Sequence, residues 1–282
     1  VYEDDLEGDG HRFYTDGPKI HQYLQELNEN TFGKYDDVVT VGEMSSTTLE
    51  NSIRYSNPES NELSMIFSFH HLKVDYPSGN KWEIEPFRFH DLKKHLFPWQ
   101  EEMEKGGGWN ALFWCNHDQP RIVSRIGNEK EYRVKSAKCL ATAIHGLKGT
   151  PYIYQGEEIG MTNAGYTSID EYMDIESLNY YNILKLQGKS EEEVIRILGA
   201  KSRDNSRTPM QWDASENAGF TKGTPWLKVC DRYKEINTES RHEPDSVFQY
   251  YKELVKLRKE LPVIQKGAVT PLLREDKEIL AY

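Results

Sequence analysis

Acidic and imidazole side chains stand directly after short apolar runs in this chain. The plainest case is Glu43, which follows Val38-Val39-Thr40-Val41 and then Gly42. A glycine at that position permits the close approach of a ligand or of another strand. A carboxyl group at the mouth of an apolar strand is partly desolvated, so its pKa should rise, which suits a general acid. The competing interpretation, a helix cap or a solvated loop carboxylate, is equally compatible with this strand position.

A second group, Asn116-His117-Asp118, follows another apolar run. His117 can donate a hydrogen bond to a substrate hydroxyl, and Asp118 can accept one. The alternative is a capped turn before Pro120, because Asp is common in turns. His70-His71 follows a third run, but neighbouring residues of a strand point to opposite faces, so they do not make a bidentate metal site and at most one of them can face a pocket.

The elements that must position these groups are alternating strands and helices. Apolar runs predict strands over 37–43, 63–69, 111–115 and 152–154, and helical periodicity predicts helices over 18–30, 48–55, 89–104, 131–147 and 246–261. This βα alternation predicts an α/β fold with a parallel sheet. No Gly-x-Gly-x-x-Gly follows a strand, which disfavours a dinucleotide-binding fold. The alternative is a partial (β/α)8 TIM barrel, whose active site lies at the carboxyl ends of the strands.

The domain organisation follows from where this alternation stops. Residues 162–245 are loop-rich, with a short predicted helix over 190–198, and we interpret them as an insertion. Residues 1–261 would then form the barrel part, and the β-like residues 262–282 the start of a C-terminal β domain. The chain begins without Met and stops in a strand-like run, so we expect a fragment of a longer protein.

Composition limits the partners. The 282 residues are 37% hydrophobic and carry a net charge of -11, which is typical of a globular protein that binds neither nucleic acid nor an anionic membrane. Three cysteines without a Cys-x-x-Cys pair argue against disulfides and zinc and favour a reducing, cytoplasmic location. Residues 5–10 faintly resemble a calcium loop, but a solvated acidic loop is the better interpretation. We therefore predict no metal and no cofactor.

The strand-end motifs resemble the family 13 glycoside hydrolases, the α-amylase superfamily. The motifs are Val-Gly-Glu at 41–43, Asn-His-Asp-Gln-Pro at 116–120, and the segments 149–161 and 203–212, the last of which resembles the α-glucosidase branch. The resemblance implies that Glu43 is the general acid/base and that Asp118 binds sugar hydroxyls through hydrogen bonds. It also implies that His117 and Arg203 line the same subsite. The family's nucleophilic Asp has no counterpart here, so the four strands would be strands five to eight of the barrel.

A finer resemblance concerns the segment 67–77, which is similar to the trehalose-6-phosphate hydrolase subgroup; oligo-1,6-glucosidases tend to have an acidic residue where Lys73 stands. The resemblance implies hydrolysis of a small-molecule sugar phosphate, with Phe69 and Lys73 in the substrate pocket. A sugar phosphate carries about two negative charges and needs local cations. Lys81 is interpreted as a solvated surface charge. The alternatives are an oligo-1,6-glucosidase and a non-catalytic sugar-binding relative, and the isolated fragment is expected to be inactive.

Overall fold

The computed structural model describes residue 10, residues 13–76 and residues 79–282 of the chain. Most of the acidic loop compared above with a calcium loop lies outside the described residues. The described strands are β1 (Val41–Met44), β2 (Met65–Ser68), β3 (Asn110–Leu112) and β4 (Thr150–Pro151). They form a parallel sheet in the order β1-β2-β3-β4, as the βα alternation predicts.

The described helices separate and follow these strands. They are α1 (Ile20–Asn30), α2 (Leu49–Ser56), α3 (Phe89–Lys105), α4 (Ile122–Ile126), α5 (Arg133–His145), α6 (Ile175–Leu186), α7 (Glu191–Lys201), α8 (Val247–Glu260) and α9 (Pro262–Lys266). Side-chain caps fix several starts. Thr48 accepts a hydrogen bond from the Asn51 N–H at the start of α2, and Ser190 forms a capping box with Glu193 at the start of α7.

The main hydrophobic core lies between the sheet and the helices α3, α5 and α8. It contains Leu112 from β3 and the helix residues Leu92, Leu96, Ala141, Ile144, Val247 and Tyr251. Close backbone approach within the sheet depends on a glycine, because a Cβ on Gly149 would lie 2.5 Å from the Asn110 carbonyl oxygen. This core holds the strand ends in fixed register, which is what a site at those ends requires.

The predicted burial of the first strand is wrong. Strand β1 begins at Val41, and Val38 and Val39, which precede it, are 42% and 65% exposed. Among the described residues, β1 pairs only with β2, so its outer edge has no neighbour to bury it. Strand β4 is also displaced from its predicted range over 152–154, although the Tyr152 N–H still donates to the Leu112 carbonyl at 2.7 Å.

The insertion contains two helices, α6 and α7, where a single short one was expected. Together they enclose a second core, and Trp82 from the loop after β2 is inserted into it, stacked on Tyr180 with ring centroids 4.6 Å apart. The tail begins with the helix α9 and has a single described β-bridge, Leu272 to Ala281. The division of the chain at residue 261 stays a prediction.

Candidate active site

A cleft of about 240 Å³ lies at the carboxyl ends of β1, β2 and β3. It is lined by side chains from loops that are far apart in sequence: Glu43, Ser45, Phe69, Leu72, Lys73, Tyr76, Lys81, Asp118, Gln119 and Arg203. Five of the six residues predicted to form the site are therefore together, and His117 stands beside them in the chain. Larger apolar cavities exist elsewhere in the described residues, but they lack this group of charged side chains.

Glu43 is the third residue of β1 and pairs in register with Phe67 of β2. A Cβ on the preceding Gly42 would lie 2.7 Å from Leu63 Cδ1, the end of a flexible side chain that can shift, so the packing here is close but does not by itself require glycine. The expected partial burial of the Glu43 carboxyl group is wrong, because the residue is exposed. The cause is the open edge of β1, which leaves one flank of the cleft uncovered by described residues.

Asp118 is presented by a turn and held by two arginines. The Asn116 side-chain oxygen accepts a hydrogen bond from the Asp118 N–H at 2.8 Å, which forms the capped turn expected before Pro120. The same turn places Asp118 in the cleft, so the capped turn and the binding site do not exclude each other. Arg207 Nη2 lies 2.5 Å and Arg203 Nη1 3.5 Å from Asp118 Oδ1. Partial burial opposes ionisation, but the hydrogen bond from Arg207 and the charge of Arg203 prevail and lower the pKa of Asp118.

The histidines behave differently from one another. His117 is exposed, and its Nε2 lies 3.8 Å from Asp118 Oδ2, so it flanks the cleft. Neither His70 nor His71 lines the cleft. They lie in a 3₁₀ turn after β2, and their rings bond to the carbonyls of Thr47 (2.8 Å) and Phe113 (2.9 Å). Burial lowers the pKa of His71 to about 4, so it stays neutral as a packing residue.

Lys73 reaches the cleft from the same 3₁₀ turn. Its Nζ donates to the Ser45 carbonyl at 2.5 Å and to the Ser46 hydroxyl at 3.0 Å, so it is tied to the loop that follows Glu43. Burial lowers the pKa of Lys73. Phe69, which precedes this turn, is 5% exposed and packs edge-to-face on Phe113, so it forms the apolar floor of the cleft.

Lys81 is not the solvated charge that the sequence suggested. Its Nζ lies 2.6 Å from Glu176 Oε2, and its side chain is only 19% exposed. The same Glu176 oxygen accepts a hydrogen bond from Arg203 Nε at 2.7 Å. Burial lowers the pKa of Lys81, and Glu176 opposes that change. A carboxylate from the insertion thus holds two cations at the rim of the cleft.

Sequence reasoning missed Glu176, Arg207 and Asp174. Asp174 lies 3.4 Å from Arg207 Nη1 and 3.6 Å from Arg203 Nε. The start of α6, which carries both acids, is fixed by the buried Asp204 carboxylate, whose Oδ1 accepts the Asp174 N–H at 3.1 Å. The spacing of Arg203 and Arg207 by four residues was a usable signal. The hydrogen bonds of the two acids with these arginines join residues 27 and 33 positions apart, which local spacing does not reveal.

The described part of the chain contains no group of three or more His, Cys, Asp or Glu side chains placed to hold a metal ion. None of its helices is long and apolar enough to cross a bilayer. The three cysteines are free thiols. What the cleft offers chemically is one exposed carboxyl group, one carboxylate kept ionised by arginines, and lysines at the rim.

The carboxylates lie at the carboxyl ends of parallel strands, and residues 1–267 match the α-amylase catalytic domain. The chain belongs to the α-amylase family, as the motifs predicted. It is 57% identical over 277 residues to the trehalose-6-phosphate hydrolase of Bacillus subtilis, which covers 98% of this chain and 49% of that protein. It is 50% identical over 275 residues to the oligo-1,6-glucosidase of Parageobacillus thermoglucosidasius, covering 97% and 49%.

Solved structures agree with these relatives. The crystal structure of Bacillus licheniformis trehalose-6-phosphate hydrolase superposes with a TM-score of 0.94 at 63% identity, over 99% of this chain and 50% of that one. The α/β fold and the partial barrel predicted from the sequence are confirmed at this level. The chain spans about half the length of the curated relatives it matches.

Proposed function

We propose that the full-length protein containing this chain is a retaining α-glucosidase-type hydrolase that converts trehalose 6-phosphate into glucose and glucose 6-phosphate. The observation that carries this proposal is the position of Lys73 in the cleft. Of the three cationic side chains that line the cleft beside the two carboxylates, Lys81 and Arg203 are ion-paired with Glu176, whereas Lys73 has no ion pair among the described residues. The chain as a whole has 46 acidic and 35 basic residues, so a lysine without an acidic partner in this cleft favours an anionic substrate there.

In this proposal Glu43 acts first as a general acid and then as a general base. It first protonates the glycosidic oxygen while a carboxylate nucleophile attacks the anomeric carbon, with the two carboxyl groups about 5–5.5 Å apart. It then removes a proton from water, which releases glucose with retained configuration. Asp118 accepts hydrogen bonds from sugar hydroxyls and binds the oxocarbenium-like transition state more tightly than the substrate. The hydrogen bond from Arg207 favours the ionised form of Asp118, which is the form that accepts these hydrogen bonds.

We assign the strands β1 to β4 to barrel strands five to eight, and the nucleophile to a strand outside residues 1–282. A barrel half that lacks the nucleophile cannot form the covalent intermediate. The isolated chain of residues 1–282 should therefore hydrolyse no glucoside at an appreciable rate. Turnover by that purified chain would refute this assignment. A cytoplasmic location, suggested by cysteine usage, stays a prediction.

A second candidate function is that of an oligo-1,6-glucosidase, which the 50% identity to such an enzyme favours. The presence of both Glu43 and Asp118 speaks against a third, non-catalytic sugar-binding role. The experiment that separates them is hydrolysis by the full-length protein of trehalose 6-phosphate and isomaltose in parallel, with the products identified. Glucose 6-phosphate from the first substrate supports the proposal. Turnover of isomaltose alone supports the second candidate, and no turnover of either supports the third.

A further inference from the structure

A buried cluster of one carboxylate and two cations lies behind the wall of the cleft. Arg125 approaches Asp75 with two nitrogens, Nε to Oδ2 at 3.0 Å and Nη2 to Oδ1 at 2.7 Å. Lys201 Nζ donates to the same Oδ2 at 2.9 Å and to the Asp75 carbonyl at 3.1 Å. The three side chains are between 3% and 7% exposed. The cluster is therefore well shielded from solvent.

The three residues belong to three segments, and each segment carries part of the cleft. Asp75 ends the 3₁₀ turn that bears Lys73. Arg125 lies in α4, and its Nη1 donates to Gln119 Oε1 at 2.7 Å, next to Asp118. Lys201 ends α7, two residues before Arg203. Among the described residues, no other ion cluster joins all three segments. The cluster therefore connects the turn that bears Lys73, the segment that follows Asp118 and the segment that leads to Arg203.

Tyr76 extends the cluster into the cleft. Its ring is close to both cations, with Arg125 Cζ 5.6 Å and Lys201 Nζ 5.3 Å from the ring centroid. The same tyrosine lines the cleft. A cation on an aromatic face is attracted to it, and more strongly where water is excluded. The position of Tyr76, and of the turn that precedes it, is thus tied to the buried charges.

Such a cluster holds a position rather than adding much stability. Buried charges persist only when each is paired in good geometry, so small displacements are costly. Although burial opposes ionisation, the hydrogen bond and charge of Arg125 lower the pKa of Asp75 and keep it anionic. Loss of Lys201 would leave the Asp75–Arg125 pair balanced. Loss of Asp75 would leave two buried cations without their anion.

We infer that Asp75, Arg125 and Lys201 form a positioning cluster that sets the turn 70–76 and so determines which leaving group the cleft accepts. None of the three lines the cleft, so they act through Lys73, Tyr76 and Gln119. This inference rests on the proposed function for the identity of the leaving group. The cluster is inferred to affect substrate specificity and not the proton transfer at Glu43.

The test uses the full-length protein with Lys201→Met, which removes the ammonium group but keeps most of the length of the side chain, and Lys201→Arg, which keeps the charge. The matched control is Arg196→Met, at an exposed position of the same helix α7. We measure kcat and KM with trehalose 6-phosphate and with an aryl α-glucoside, and the Tm of each variant. Lys201→Met should raise KM for trehalose 6-phosphate about ten- to a hundredfold, the order expected for slight misplacement of binding groups. The aryl glucoside should change less than about twofold.

Two further results support the inference: near-complete rescue by Lys201→Arg, and wild-type behaviour of Arg196→Met. Equal losses on both substrates, or no loss in Lys201→Met despite its folding, would overturn it. If the wild type does not hydrolyse trehalose 6-phosphate, the proposed function has failed. The same comparison with isomaltose as the sugar substrate then decides the inference by the same criteria. Should Lys201→Met not fold, Lys201→Gln provides the same measurement with a polar replacement.

Discussion

Arg207 donates a hydrogen bond to Asp118 Oδ1 over 2.5 Å, although 89 positions separate the two residues. Its Nε also donates to the His117 carbonyl at 2.8 Å. One guanidinium therefore fixes both the backbone and the side chain of the carboxylate turn. Arg203 Nη1 approaches the same Oδ1 at 3.5 Å, whereas His117 Nε2 lies 3.8 Å from Oδ2.

The first prediction concerns this pair. Arg207→Met removes a charge-assisted hydrogen bond that positions Asp118, so kcat/KM should fall roughly ten- to a hundredfold, the order expected for slight misplacement of a binding group. Because Arg207 helps to hold the pKa of Asp118 low, its loss should raise that pKa and move the acid limb of the pH profile to higher pH. The measurement is kcat/KM against pH. An acid limb that stays in place would show that Arg207 does not control the ionisation of Asp118.

The second prediction concerns Glu43 in the full-length protein. Glu43→Gln should lower kcat by several orders of magnitude for sugars with poor leaving groups, because protonation of the leaving oxygen is lost. An activated aryl glucoside needs little protonation, so its first step should be spared. Azide, which attacks the intermediate without a general base, should restore part of the turnover. Equal loss on every substrate without an azide effect would mean that Glu43 is structural.

The third prediction concerns Lys73. If its ammonium group binds the 6-phosphate, Lys73→Ala should lower kcat/KM on trehalose 6-phosphate roughly 10- to 150-fold, the loss of about 1.5–3 kcal/mol. The loss on an unphosphorylated aryl glucoside should be much smaller. Added salt should weaken the wild type more than the mutant. Lys94→Ala, at an exposed lysine of α3, is the control.

The contacts of Lys73 supply the competing outcome. Its Nζ already bonds to Ser45 and Ser46, next to Glu43, so its role could be to hold that loop. In that case Lys73→Ala should depress turnover of both substrates alike. Equal loss on the aryl glucoside and on trehalose 6-phosphate would therefore remove Lys73 from phosphate recognition.

The strand-end carboxylates were predictable from the sequence, and the charges around them were not. Glu43 and Asp118 follow apolar runs, and parallel strands bring their carboxyl ends to one edge. Lys81 looked like an ordinary surface charge, because its partner Glu176 lies 95 residues away on an inserted helix. Helix α6 was missed because its apolar residues do not follow one three-four stripe. Local patterns specify elements, whereas such long-range pairs depend on how the elements pack.

The fourth prediction concerns Glu157, which is 5% exposed. Its Oε1 accepts the Tyr251 hydroxyl at 2.7 Å, while Oε2 has no hydrogen-bond partner among the described residues. Burial raises the pKa of Glu157 from 4.5 to about 7. The charged form is thus disfavoured in the folded state, so stability should fall as pH rises from 4.5 through about 7 and level off above.

Glu157→Gln cannot ionise and should lack this part of the pH dependence. Relative to wild type, the free energy of unfolding of Glu157→Gln should increase by about 3 kcal/mol between pH 4.5 and pH 8, since each unit of pKa shift corresponds to about 1.36 kcal/mol. The measurement is the free energy of unfolding of the full-length protein across that range. Glu253→Gln, at an exposed position of α8, should keep the wild-type slope. An unchanged slope in Glu157→Gln would show that Glu157 ionises normally.

The most direct test of phosphate recognition compares trehalose 6-phosphate with trehalose, because the two differ only in the phosphate group. The measurement is kcat/KM of the full-length protein on each at low and high salt. We predict a preference for the phosphorylated sugar of at least about tenfold, the value of one charge-assisted hydrogen bond, which decreases as salt is added. Equal kcat/KM on both sugars, or a preference for trehalose, would contradict the proposal that the cleft recognises the substrate phosphate.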